Sequence, residues 1–196
     1  MYEEAEPVLR DDPVMARLIE THGRLDTTPA ESEFERLCVS IINQQLSTAS
    51  AAAVRDRVFA VLGDVTPDAV LAADAEALRE AGLSRTKVEY VTNAARAFEE
   101  RDLTREGLAD ASDEEVIAEL TRIKGVGEWT AHMYLLFVLG RPDVLPLGDL
   151  GVRRGIQELY GDGRELSRAE MREVAERWRP YRSLATRYVW RAYESD

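Results

Sequence analysis

Residues 120–154 contain two features that could do chemistry together, and the first is a glycine-bracketed turn. Residues 123–127 read Ile-Lys-Gly-Val-Gly, and glycines permit a sharp turn with no Cβ between the backbone and a ligand. Successive backbone N–H groups at such a turn and at the next helix N-terminus bind anions, which predicts a phosphate site. The alternative is an ordinary corner between two helices. The candidate phosphate contacts are Lys124, Gly125, Val126, Gly127 and Thr130.

The second feature is Asp149, which follows Pro146 and Gly148 and precedes a helix predicted from Leu150. An aspartate there lies at or beside an N-cap, where the partial positive charge of the helix favours its ionised form. A fixed carboxylate can stabilise positive charge that develops on a sugar and can orient or deprotonate water. The pattern therefore predicts Asp149 as a catalytic residue that acts through its carboxylate, with a simple helix cap as the alternative.

The elements that must position these residues have a helical pattern throughout. Apolar residues recur at helical spacing, and no segment alternates convincingly with period two. Ser112 and Ser167 begin capping boxes, while Ser47 or Thr48 and Asp74 are further candidate caps. Helix stops are predicted at Gly63, Gly82 and Gly140. We expect a compact all-α protein of about ten short helices joined by tight turns.

Composition narrows the class of protein. The chain has 196 residues, 45% of them hydrophobic, without a run near the roughly 20 residues that cross a bilayer. We therefore expect an intracellular, cytoplasmic protein with no membrane partner. The single cysteine, Cys38, lies in an apolar segment and is predicted to be a core residue. One cysteine cannot supply the four thiolates of a typical iron–sulfur cluster, so none is expected.

The charge argues against nucleic acid as a partner. With 37 acidic and 25 basic side chains the net charge is −12, whereas DNA-binding domains are ordinarily basic. However, 23 of the basic residues are arginines and only Lys87 and Lys124 are lysines. An acidic, lysine-poor surface is expected of a protein that works in concentrated salt, where repulsion between charges is screened. We therefore expect a halophilic source.

Four ordered motifs resemble those of one enzyme family. Residues 120–131 and 143–154 are similar to the helix-hairpin-helix and the glycine/proline-rich loop with aspartate of the HhH-GPD superfamily of base-excision DNA glycosylases. Residues 41–47 resemble its glutamine-containing loop, and residues 82–90 resemble its next turn and helix. Residues 176–183 are similar to a segment of the branch called 3-methyladenine DNA glycosylase II.

The resemblance implies a monofunctional glycosylase that flips alkylated purines out of double-stranded DNA and releases them by hydrolysis. Family members that also cut the strand carry a lysine two residues after the second hairpin glycine, where this chain has Trp129. Asp149 takes the catalytic role. The implied base pocket consists of Trp129, Trp190, Met133 and Tyr134, with Met133 where a relative has tyrosine. The implied wedge that fills the gap in the DNA is Gln45, then Leu46 or Gln44. Trp178 is expected to be structural, and Arg153, Arg154, Arg182 and Ser183 to contact DNA or form surface ion pairs.

The resemblance also implies two lobes that flank a DNA-binding cleft. The first comprises approximately residues 1–30 and 142–196, and the second residues 31–141. The chain is expected to be a monomer and the minimal two-lobed catalytic unit. No cofactor is expected beyond a candidate Na⁺ or K⁺ ion at the hairpin carbonyls of Ile123 and Gly125. The alternatives are a non-catalytic helix-hairpin-helix module that binds DNA or protein, a glycosylase for other damaged or deaminated bases, and an unrelated halophilic helical protein.

Overall fold

A computed structural model describes residues 2–195, which form twelve α-helices and no strand. This confirms the all-α prediction. The helices are α1 (Tyr2–Leu9), α2 (Pro13–His22), α3 (Glu33–Asn43), α4 (Thr48–Leu62), α5 (Pro67–Ala72), α6 (Ala75–Glu80), α7 (Arg85–Glu100), α8 (Asp113–Thr121), α9 (Glu128–Phe137), α10 (Leu150–Tyr160), α11 (Arg168–Glu176) and α12 (Arg182–Ser195). Within residues 2–195 no helix is long and apolar enough to cross a membrane.

The expected number of helices was low because short helices follow one another closely. Helices α5 and α6 have six residues each and are separated by only Ala73 and Asp74. Thr66 caps the first and Asp74 caps the second, each through its side-chain oxygen. Such short helices carry too few apolar positions to show a 3.6-residue period, so periodicity does not separate them.

The helix caps predicted at Ser47, Ser112 and Ser167 are confirmed. Ser112 and Ser167 form complete capping boxes with the glutamates three residues later. Ser47, and not Thr48, is the N-cap of α4, and Gly63 ends that helix with φ of 70°. Each such cap satisfies backbone N–H groups that have no partner inside the helix.

The chain divides into two compact units. One is formed by Met1–Pro29 and Gly140–Asp196, and the other by Ala30–Leu139. The boundaries expected from the sequence, after residue 30 and after residue 141, differ from these by one and two residues.

The core of the first unit surrounds Trp178, which is fully buried and structural, as expected. Its indole Nε1 donates a hydrogen bond to Asp12 Oδ2 over 3.4 Å, and the Tyr160 hydroxyl donates to the same oxygen over 3.1 Å. Asp12 also caps α2 by accepting from the backbone of Val14 over 2.8 Å. The buried carboxyl group therefore has partners on α2, on α10 and in the segment between α11 and α12, as a buried polar group requires.

The second unit is built around α3, α7 and α9, with α3 packed against both other helices. Cys38 on α3 is 2% exposed, which confirms the prediction of a core cysteine, and burial raises the pKa of its thiol. Phe34 and Phe98 meet edge to face with ring centroids 5.2 Å apart. This core supports the hairpin, since the hairpin lies between α8 and α9.

Candidate active site

Asp149 is the N-cap of α10, with extended backbone angles of φ −75° and ψ 131°. Its Oδ1 accepts the backbone N–H of Val152 over 2.9 Å and the indole N–H of Trp190 over 2.8 Å. The two hydrogen bonds fix the orientation of the carboxylate. The side chain is thus held from its own helix and from α12, 41 residues further along the chain.

The approach of Trp190 to Asp149 depends on Gly151. A Cβ at position 151 would lie 3.2 Å from Asp149 Oδ1 and 3.2 Å from Trp190 Cδ1, closer than ordinary van der Waals contact. The absence of a side chain in the first turn of α10 therefore lets the indole reach the carboxylate. Sequence reasoning missed this role of Gly151, because nothing local indicates that an indole packs against it.

The loop that leads into Asp149 is stabilised by hydrogen bonds to residues of the same compact unit. The backbone N–H of Asp149 donates to Pro146 O over 2.8 Å. Arg153, one turn into α10, donates to Leu147 O over 2.8 Å and to Gly148 O over 3.0 Å. Arg153, expected to contact DNA or form an ion pair, therefore stabilises the loop.

The segment before this loop is tied to the start of α12. Ser183 Oγ donates to Arg141 O over 2.6 Å and accepts from the backbone of Val144 over 2.9 Å. Arg182 binds Asp143 with Nε 2.6 Å from the carboxylate. Ser183 is 2% exposed, so the expectation that it contacts DNA is wrong, and Arg182 is committed to the loop. Together these bonds set the position of the loop relative to Trp190 on the same helix.

The two hairpin glycines have different roles. Gly125 has φ of 103°, in the left-handed region that favours glycine, and a Cβ there would overlap the Tyr90 ring. Gly127 has φ of −94°, and a Cβ there would meet nothing within 4 Å. Gly127 is exposed and is the N-cap of α9, to which it offers no side-chain acceptor. Gly125 is required by the turn, whereas Gly127 leaves the helix N-terminus open to a ligand.

The side chains of the other candidate phosphate contacts have different surroundings. Lys124 is exposed but its Nζ lies 2.5 Å from Glu89 Oε1, which raises the pKa of the lysine. Val126 is 4% exposed and Thr130 is 1% exposed. Their side chains are therefore core groups, so the contact with phosphate predicted for these two residues depends on their backbone N–H groups. Their backbone lies at the turn and at the start of α9, respectively.

The carbonyls predicted to bind a monovalent cation each accept one hydrogen bond. Ile123 O accepts the backbone N–H of Val126 over 2.9 Å, and Gly125 O accepts the side-chain amide of Gln44 over 2.9 Å. A carbonyl oxygen has two lone pairs, so each retains one for a cation. Two carbonyls fit only part of the oxygen ligand set that such an ion needs.

The three wedge candidates, residues 44–46, differ in the exposure of their side chains. Gln45 has φ of 58°, unusual for a residue with a side chain, and is exposed, and Leu46 is 40% exposed. Gln44 instead donates from Nε2 to Gly125 O and, over 3.0 Å, to Thr130 Oγ1. The prediction of Gln44 as a wedge is therefore wrong, because its side chain binds the hairpin. Gln45 and Leu46 stay the candidates.

The base-pocket candidates are divided between core and surface. Tyr134 is 1% exposed, its hydroxyl donates to Leu103 O over 2.6 Å, and its ring meets Phe98 edge on. This contradicts a pocket role for Tyr134. Met133 is 4% exposed and lies on the buried side of α9. Trp129 and Trp190 are half-buried, the former in the unit Ala30–Leu139 and the latter in the other unit.

A family model described as HhH-GPD superfamily base excision DNA repair protein matches residues 38–180. The chain belongs to this superfamily. It is 32% identical over 200 residues to the DNA-3-methyladenine glycosylase of Saccharomyces cerevisiae, a match that covers 97% of this chain and 66% of that protein. The chain thus spans about two thirds of the length of that curated relative.

Solved structures support the assignment of this chain to the HhH-GPD superfamily. The 3-methyladenine DNA glycosylase Mag1 of Schizosaccharomyces pombe, in complex with abasic DNA, matches with a TM-score of 0.88 and 30% identity over 97% of each chain. The DNA-3-methyladenine glycosidase of Bacillus halodurans matches with a TM-score of 0.81 and 35% identity, over 97% of this chain and 88% of that one. The superfamily, its alkylated-base branch and the glycosylase fold predicted from the motifs are confirmed.

Lys87 is a site residue whose contacts the sequence did not reveal. Its Nζ donates to Ile42 O over 2.6 Å and to Gln44 O over 2.7 Å, at the end of α3 and the start of the loop formed by residues 44–46. A signal was present in the composition. Lys87 is one of only two lysines in a chain with 23 arginines, and it lies in a recognised motif.

Proposed function

We propose that this HhH-GPD protein is a monofunctional DNA glycosylase that hydrolyses the N-glycosidic bond of alkylated purines and leaves an abasic site. The observation that carries the proposal is the Asp149 carboxylate, oriented at a helix N-cap by Val152 N–H and the Trp190 indole. Proteins similar to this chain are named for 3-methyladenine, which supports an alkylated purine as the substrate.

The reaction requires little acid catalysis at the base. A purine alkylated on a ring nitrogen is already cationic, so the electron pair of the breaking bond to C1′ neutralises it as it leaves. The deoxyribose acquires positive charge, which the ionised Asp149 carboxylate stabilises. Water then adds to C1′, and its proton passes to Asp149 or to solvent. The products are the free base and an intact strand with an abasic site.

Strand cleavage is not part of the proposed reaction, because neither lysine supplies a suitable amine. Trp129 occupies the position of the lysine that lyases use. The Lys124 ammonium is paired with Glu89, which raises its pKa and disfavours the neutral amine that forms a Schiff base. The other lysine, Lys87, bonds two backbone carbonyls.

DNA is held mainly by backbone groups in this proposal. The open N-terminus of α9 at Gly127 accepts a phosphate, to which a Na⁺ or K⁺ ion at the carbonyls of Ile123 and Gly125 adds a bridge, completed by phosphate or water oxygens. Gln45 and Leu46 fill the gap left by the flipped base in the double strand. The acidic chain contributes little attraction of its own, since its net charge is −12.

The indoles of Trp129 and Trp190 each suit a cationic base. Trp129 and Trp190 are half-buried, and an indole face attracts a cation by about 0.5–2 kcal/mol. Met133, which is 4% exposed, stays a candidate for the pocket because its thioether is polarisable. We also propose that the protein acts as a monomer in the cytoplasm and that its acidic, arginine-rich composition adapts it to concentrated salt.

The test is release of free base from methylated duplex DNA by wild type and Asp149→Asn, from dilute buffer to molar KCl. We expect 3-methyladenine and 7-methylguanine release that is greatest in high salt. Asp149→Asn should lower single-turnover release by about 10²–10³-fold and leave DNA binding nearly unchanged. Borohydride should trap no covalent adduct, and alkali should be needed to cut the product strand.

Each alternative gives a different outcome. DNA binding without base release at any salt would identify a non-catalytic helix-hairpin-helix module. Release of other damaged or deaminated bases in preference to alkylated ones would change the substrate class while retaining Asp149. An Asp149→Asn variant with near-normal release would refute the catalytic assignment itself.

A further inference from the structure

One side of α7 contacts both DNA-facing elements of the unit Ala30–Leu139. Lys87, Tyr90 and Asn93 lie at intervals of three residues, which places them along one side of the helix. Lys87 donates to carbonyls of the wedge loop, here residues 44–46, and of α3 before it. The Tyr90 ring packs against Gly125, and Asn93 Nδ2 donates to Lys124 O over 3.3 Å. Helix α7 is therefore a common support for the wedge loop and the hairpin.

Lys87 provides the bond between this support and the wedge loop. The last carbonyls of a helix have no partner within it, and a cation near this end is favoured by the helix dipole. Helix α3 ends at Asn43, and the Lys87 ammonium bonds the carbonyls on either side of that residue, Ile42 O and Gln44 O. The chain leaves α3 in a direction that these two bonds determine.

Lysine suits this position better than arginine. The Lys87 Nζ lies 2.6 Å and 2.7 Å from two converging carbonyl oxygens and is partly buried. A compact ammonium with rotatable donors can bond both, whereas a planar guanidinium is larger and presents its donors in a fixed fork. This explains why lysine is found here in a chain that otherwise uses arginine for almost every positive charge.

Gln44 joins the same loop to the hairpin. Its Nε2 donates to Gly125 O over 2.9 Å and to the hydroxyl of the buried Thr130 over 3.0 Å, which uses both hydrogens of the amide. The next residue, Gln45, has φ of 58° and an exposed side chain. A residue with a side chain adopts this conformation only where its surroundings hold it. The hydrogen bond from Lys87 to the backbone carbonyl of Gln44 and the hydrogen bonds from the Gln44 side chain to the hairpin provide that restraint.

We infer that Lys87 and Gln44 are positioning residues for base extrusion. They hold Gln45 and Leu46 at a fixed place relative to the hairpin, so that gripping the phosphate also places the wedge. A loosened loop would leave the gap in the DNA unfilled, and the target base would return to the stack before its bond is broken. This inference rests on the proposed glycosylase function.

The test uses the energy of the base pair that the target base must break when it is flipped. Flipping costs least when the target base has no partner, so a defect in extrusion should nearly vanish for such a base, while a defect in chemistry or folding should persist. The substrates are two duplexes with a single 7-methylguanine, opposite cytosine or opposite an abasic site. The variants are Lys87→Met and Lys87→Arg, with Arg85→Met as the control that removes one exposed positive charge from the same turn of α7.

We expect Lys87→Met to slow single-turnover release from the paired substrate by about 10- to 100-fold, as loss of charge-assisted hydrogen bonds implies. Release from the unpaired substrate should fall by less than about 3-fold. Lys87→Arg should resemble Lys87→Met, and Arg85→Met should resemble wild type on both substrates. Gln44→Met, which removes the amide donors without removing the lysine, should show the same dependence on pairing.

Three outcomes would overturn the inference: no loss of rate in the Lys87 and Gln44 variants, an equal loss on both substrates, or full rescue by Lys87→Arg. If Lys87→Met does not fold, Gln44→Met decides the same question. Failure of the proposed function is distinguishable, because wild type would then release no base from either duplex.

Discussion

Replacing Gly151 with alanine is expected to slow base release without destabilising the protein. The added Cβ would lie 3.2 Å from Asp149 Oδ1 and from Trp190 Cδ1, so the indole or the carboxylate must shift by a few tenths of an ångström. The bond between Trp190 Nε1 and Asp149 Oδ1 would lengthen from 2.8 Å toward the limit of about 3.2 Å for an N–H···O bond. The carboxylate would then lose the indole donor that helps to orient it.

The expected effects on activity and stability have opposite signs. Loss of a hydrogen bond to a charged group costs about 1.5–3 kcal/mol, and partial loss through lengthening corresponds to about 10-fold in rate. Alanine is favoured over glycine inside a helix by up to about 1 kcal/mol, although position 151 is in the first turn. The melting temperature should therefore stay the same or rise by up to about 4 °C for a chain of this size.

The assay is single-turnover release of 7-methylguanine, with DNA affinity and melting temperature measured on the same samples. Gly155→Ala is the matched control one turn further along α10. Its Cβ would lie 2.6 Å from Val189 Cγ1 and 3.0 Å from Val189 O, so it should lower the melting temperature. Below that temperature its rate should fall less than that of Gly151→Ala.

A second variant tests whether Gly151→Ala acts through the hydrogen bond between the Trp190 indole and Asp149. Trp190→Phe keeps an aromatic ring but removes the N–H donor to Asp149, so it should also slow release. The double variant with Gly151→Ala should be no slower than the slower single variant, because both remove the same bond. Wild-type turnover by Gly151→Ala, or a loss of rate that follows an equal loss of stability, would refute the reasoning.

The remaining predictions concern the hairpin, the core and the salt response. Gly127→Ala should keep its melting temperature and weaken DNA binding, whereas Gly125→Ala should lower the melting temperature, because only the latter Cβ meets Tyr90; equal effects of the two would contradict the assignment. Tyr134→Phe should cost about 1–3 kcal/mol of stability, since Leu103 O loses its partner, with unchanged base preference in a methylated-DNA assay. Activity and stability should both rise from dilute buffer to molar KCl, and a fall in both would refute salt adaptation.

Much of the local structure follows from the sequence. The capping boxes at Ser112 and Ser167, the helix after Asp149 and the burial of Cys38 were all predicted, because each depends on residues within one or two turns. The resemblance of four ordered motifs likewise predicted the superfamily, since each motif is a continuous segment of the chain.

Tyr134 shows where local reasoning fails. It follows Met133 on α9, and successive residues of a helix differ by 100° in direction, so one step changes the face that a side chain occupies. Which face is buried depends on the helices that pack against α9. In the structure the Tyr134 ring meets Phe98 and its hydroxyl bonds Leu103 O, contacts that the spacing within α9 does not specify.

The sequence by itself determined the all-α class, the specific helix caps, the family and the candidate catalytic carboxylate of this protein. The tertiary structure decided that Trp190 donates to Asp149 past Gly151, that Gly125 is required by Tyr90 while Gly127 is open, and that Gln44 binds the hairpin. The physical reason is the range of the forces involved. Caps and periodicity are set by neighbours in the chain, whereas the partner of an indole, a glycine or an amide is set by which distant elements the packed core brings within hydrogen-bonding or van der Waals distance.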